Sequence, residues 1–123
     1  MIYFSYPKAG YLKYSEEINK SIEDVLYSET YIKGENVLKF ENNFSNYIGT
    51  KYSIGVGNAT DAIYLSLRAI GVKKGDEVIT VSHTATGTVA AIAGTGATPV
   101  FVDISDKYYT INVNEVEKNI NKK

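Results

Sequence analysis

The sequence predicts an α/β fold in which helices pack on a partial, mostly parallel sheet. Three observations carry that expectation. From residue 51 onward, short apolar and β-branched runs alternate with stretches of helical periodicity. The residues between them are mainly Gly, Asn, Asp, Ser and Thr, which form turns by supplying positive φ or local side-chain hydrogen bonds. The order is two helices, then strand, helix, strand, helix, strand, helix, and strands separated by helices pair in parallel through crossovers.

Residues 2–6 are an apolar and aromatic run closed by Pro7, which has no N–H to donate, so an extended arm or edge segment is expected there. Ser15 opens a helix, with acids at Glu16 and Glu17 and an apolar stripe at Ile18, Ile22, Val25 and Leu26. Tyr31-Ile-Lys-Gly34 is a turn. Val37, Phe40, Phe44 and Tyr47 then share one side of a second helix that Gly49 stops, and aromatic residues at that spacing usually belong to a core. Residues 52–56 suit an interior strand, and Gly55 and Gly57 allow a sharp turn into a helix over 58–70. Ala62, Ile63, Leu65, Leu67, Ala69 and Ile70 make that helix apolar over most of its surface, so it is expected to be buried.

Gly71-Val-Lys-Lys-Gly-Asp76 reads as a loop, and 77–82 as a buried β-branched strand. A second polar turn, Ser82-His-Thr-Ala-Thr-Gly-Thr88, leads into a helix of small residues over 88–93 that Gly94-Thr-Gly96 ends. Residues 98–102 form the third strand, which Asp103 closes, and 114–120 a last helix. The expected organisation is one partial domain over 1–123, with an arm and helices over 1–50 and the start of a larger α/β domain over 51–123. The uncovered sheet edge and lysine-rich end favour the first part of a longer domain.

Thirteen basic and fourteen acidic residues in 123 leave a net charge of −1, which gives no footprint for nucleic acid or an anionic membrane surface. Without cysteine there is no disulfide framework, thiolate nucleophile or Cys-based zinc site, and one histidine cannot form a histidine cluster. The N-terminus lacks a basic region followed by a long apolar run, and no stretch of about 18 uncharged apolar residues occurs. A cytoplasmic location is expected.

The chemistry is expected at the turn before the central helix. Asn58 fits an N-cap and Asp61 the acid-favouring first turn, and such a helix start exposes backbone N–H groups that can bind an anion. Local chemistry leaves phosphate binding and plain architecture both open. The dinucleotide fingerprint G-x-G-x-x-G fails, because Gly55 and Gly57 are followed by Thr60 in the third position, and no acidic residue ends strand 78–82 to hold a ribose.

Several stretches together resemble the DegT/DnrJ family of pyridoxal-phosphate-dependent nucleotide-sugar aminotransferases. They are Tyr31-Ile-Lys-Gly-Glu-Asn-Val-Leu-Lys-Phe-Glu41, Tyr47-Ile-Gly-Thr-Lys-Tyr52, Asn58-Ala-Thr-Asp-Ala62, Gly75-Asp-Glu-Val-Ile79, Ser82-His-Thr84 and Gly96-Ala-Thr-Pro-Val-Phe-Val-Asp103. Their order and spacing from about residue 10 to the end make the resemblance specific. It implies the N-terminal portion of a fold type I pyridoxal 5'-phosphate transferase large domain. It also implies that the turn at 58–61 holds the cofactor phosphate through the backbone of Asn58, Ala59 and Thr60 and the Thr60 hydroxyl. Ala59 stands where the family usually has glycine. The turn 82–88 is implied to lie against the pyridine ring, and Ala85 stands where many members carry Phe or Trp, which leaves His83 as the nearby ring. The reaction implied is transfer of an amino group, usually from glutamate, to a keto sugar on a nucleotide diphosphate, by a homodimer. The Schiff-base lysine and the aspartate of the pyridine nitrogen are implied to lie downstream; Lys51, Lys73, Lys74 and the terminal lysines match no catalytic position, so these 123 residues alone are expected to be inactive. A non-catalytic α/β binding or interaction module is the competing expectation.

Overall fold

The computed structural model describes residues 3–122. The chain divides into two compact units, Met1–Gly55 and Val56–Lys123.

The first unit is helical. Helix α1 (Pro7–Tyr27) opens with proline at its start, where the missing N–H is harmless, and so begins earlier than the Ser15 that sequence periodicity points to. It is interrupted at Tyr14 (φ −122°, ψ 21°), so the regular stretch from Ser15 is the part the apolar stripe marks. Ile2 of the expected arm lies outside the described residues. Residues 3–6 form neither helix nor strand, and the Tyr3 and Tyr6 rings stack at 5.3 Å.

Helix α2 (Glu35–Ile48) ends at Gly49, as expected; Gly49 has φ 82° and donates its N–H to the Ser45 carbonyl at 2.9 Å. The aromatic stripe is not core in this unit. Phe40 and Phe44 stack at 5.6 Å but are about half exposed, and Tyr47 is 85% exposed, because no described element of the unit covers that face. Residues 52–55 close the unit without forming the strand expected over 52–56. The Gly55 N–H, which a ladder would use, goes instead to Glu41 Oε1 at 2.7 Å, and Tyr52 and Ile54 are exposed.

The second unit carries α3 (Ala59–Ala69), β1 (Glu77–Val81), α4 (Thr86–Gly94), β2 (Thr98–Val102) and α5 (Val113–Asn119). The expected parallel sheet forms from two of the three predicted strands: β1 and β2 pair in parallel from Glu77 opposite Thr98 to Val81 opposite Val102. Helix α4 is the crossover between them. It starts at Thr86, two positions ahead of the predicted Thr88, and packs its small residues against β2 and α3.

The core of this unit is Ala91, Ile92, Ala97 and Val102. Thr80 and Thr95 are buried beside them, and the Thr95 hydroxyl donates to the Ile92 carbonyl at 2.7 Å while accepting from Ala97 N–H at 3.2 Å. Helix α3 is not the buried helix its composition predicts. None of its residues is fully buried, and Leu65 is 49% exposed, because within the unit α4 is the helix packed against it and covers one face only.

Candidate functional site

The turn ahead of α3 is built by its own side chains. Asn58 has extended backbone (φ −163°, ψ 173°) and caps the helix, its Oδ1 accepting from the Asp61 N–H at 2.9 Å. The Asp61 carboxylate reciprocates, Oδ2 accepting from Asn58 Nδ2 at 2.9 Å, while the Ala62 N–H reaches the Asn58 carbonyl at 3.1 Å. These bonds account for the amides of Asp61 and Ala62. The amides of Ala59 and Thr60, at the first two helical positions, have no acceptor among the described residues.

A second helix start lies beside the first. Ala85 is the N-cap of α4, with extended backbone (φ −66°, ψ 143°) and no side chain able to cap. The Thr88 N–H bonds the Ala85 carbonyl at 3.0 Å, and the Thr84 and Thr88 hydroxyls lie 3.0 Å apart across the turn. Gly87, in the first turn of α4, faces Thr60: a Cβ added at Gly87 would run into the Thr60 hydroxyl oxygen. Thr60 is half-buried and its hydroxyl has no hydrogen-bond partner among the described residues.

Asn58, Ala59 and Thr60 are therefore contiguous at one helix start, and Thr60 meets the turn that carries His83 and Ala85. His83 and Ala85 are both exposed, and His83 makes no hydrogen bond to a described residue. Sequence reading missed Gly87. Its one available signal was a glycine inside a first helical turn, and the partner that gives it meaning is distant in the chain.

The donor set suits a phosphate. Two free amides and one free hydroxyl suit an acceptor-rich ligand, the start of α3 is the positive end of its dipole, and the Asp61 carboxylate is engaged by Asn58. Among the described residues no group of three or more His, Cys, Asp and Glu could hold a metal, and no helix is long and apolar enough to cross a membrane. A cavity of about 420 Å³ lies elsewhere, in the first unit between the end of α1 and the start of α2, and none of the five expected residues lines it.

Parallel strands joined by a crossover helix, with helices packed beside them, define an α/β protein. The sequence then fixes the family: residues 13–123 match the DegT/DnrJ/EryC1/StrS aminotransferase family, and the chain belongs to it. It is 41% identical over 109 residues to a dTDP-3-amino-3,6-dideoxy-alpha-D-galactopyranose transaminase of Aneurinibacillus thermoaerophilus, a match covering 89% of this chain and 30% of that enzyme. The structure superposes on DesV of S. venezuelae with a TM-score of 0.90 at 38% identity, covering 93% of this chain and 31% of DesV. NtdA of Bacillus subtilis, solved with bound cofactor PMP, matches with a TM-score of 0.85 at 30% identity, over 89% of this chain and 25% of that one. The chain thus spans about three-tenths of the length of its relatives, and the fold is that of the N-terminal part of such an aminotransferase.

Proposed function

We propose that this chain is the phosphate-holding part of a pyridoxal 5'-phosphate-dependent aminotransferase that moves an amino group from glutamate to a keto sugar carried on a nucleotide diphosphate. The observation that carries this reading is the pair of unpartnered amides at Ala59 and Thr60 with the free Thr60 hydroxyl beside them. In this role those three donors bind the phosphate oxygens, and the Asn58 cap fixes the first turn so that both amides face the same way. His83 and Ala85 flank the ring: alanine cannot stack, so the imidazole of His83 supplies the aromatic contact. When bound, pyridoxal phosphate supplies the carbonyl that takes up the amino group and the ring that withdraws electrons.

The lysine that would bind the cofactor covalently has no counterpart among Lys51, Lys73, Lys74 and the terminal lysines, so in this reading these 123 residues hold the phosphate without turning substrate over. Family relatives that act on nucleotide-linked sugars support the substrate class. A cytoplasmic homodimer, with the turn at 31–34 facing the partner subunit, completes the proposal.

Titration with pyridoxamine phosphate and, separately, with pyridoxamine tests the cradle. The expected result is that the amide resonances of Ala59 and Thr60 move with the phosphate ester and stay in place with the unphosphorylated amine. Equal responses to the two compounds, or none to either, overturn the reading.

A further inference from the structure

The bare Cα of Gly87 has no conformational explanation. It sits in the first turn of α4, and its φ is not among the positive values that favour glycine. Glycine is a poor helix former there, so alanine would be the better local choice. What alanine would meet is one atom. The Thr60 hydroxyl oxygen occupies the place of the missing Cβ, whereas Thr60 Cβ and Cγ2 lie at 3.6 and 3.9 Å, ordinary van der Waals distances. The main chain of α3 is not in the way. Gly87 therefore makes room for a hydroxyl, and not for the close passage of two helices.

We propose that Gly87 is a positioning residue for the anion cradle: its missing side chain holds open the space in which the Thr60 hydroxyl stands between the first turns of α3 and α4. This rests on the functional reading above. A methyl group at position 87 drives Thr60 into another staggered χ1 well. The hydroxyl then leaves the mouth of α3, where the free amides of Ala59 and Thr60 are.

The test is a double-mutant cycle in the full chain, read by pyridoxamine phosphate affinity and by Thr60 χ1 in a structure of the Gly87→Ala variant. Gly87→Ala is expected to change χ1 and weaken binding about tenfold, the size of one lost hydrogen bond to a charged group. In a Thr60→Ala background, where no hydroxyl can be displaced, the same change is expected to leave the remaining affinity unaltered. An unmoved Thr60 rotamer, parental affinity in Gly87→Ala, or an equal loss with and without Thr60 each overturns the role of Gly87. A parent chain that takes up no pyridoxamine phosphate overturns the cradle itself, and with it the reason for positioning Thr60.

Discussion

At the scale of single residues, Asn58 makes two bonds with Asp61. Its side chain satisfies the Asp61 amide and holds the Asp61 carboxylate, so Asn58→Ala is expected to lower the stability of the second unit by about 1 kcal/mol. Denaturant unfolding measures this, and faster exchange of the Asp61 amide would place the loss at the cap. The role proposed for His83 is contact with the cofactor ring alone. It is exposed and makes no hydrogen bond to a described residue, so His83→Ala is expected to leave stability within about 0.5 kcal/mol of the parent. The absorption band of bound pyridoxal phosphate in the full chain is expected to shift, and an unaltered spectrum and affinity would remove His83 from the site.

The elements show what local chemistry can and cannot specify. Helix α2 was legible because its stop is chemical: Gly49 adopts φ 82° and no L side chain does so cheaply. Gly49→Ala is expected to cost about 1 kcal/mol by thermal or chemical unfolding, and since a Cβ there would touch nothing, the whole loss is conformational. Strand β2 was legible from its apolar and β-branched residues and the turn chemistry on either side. Residues 52–56 are also largely apolar and form no strand, because a strand exists only in its ladder and Glu41 takes the Gly55 amide. The start of α1 was misplaced for the opposite reason. Pro7 reads as the end of an extended run, yet it is also the residue best suited to a first helical position.

For the whole molecule, burial was the least legible property. Composition marks α3 and the aromatic face of α2 as interior, and both are largely exposed here, because a residue's own pattern says which face seeks cover and never what supplies it. The Asn58 turn was readable as one helix start, whereas the approach of Gly87 to Thr60 was not, since it depends on how two helices pack. A polypeptide of these 123 residues alone is expected to bind a hydrophobic dye and to form no amino sugar when given pyridoxal phosphate, glutamate and a nucleotide-linked keto sugar. Product formation would contradict the assignment of the covalent lysine to a position outside this stretch.

The pairing of β1 with β2 through α4 has a further consequence, for the order of events during synthesis. Every rung of that ladder joins residues between 77 and 102, so no residue made later supplies a rung. Arrested nascent chains should already resist proteases across this stretch once residue 102 has cleared the ribosomal tunnel. The start of α4, which the proposed phosphate cradle uses, is then in place as soon as this ladder has closed.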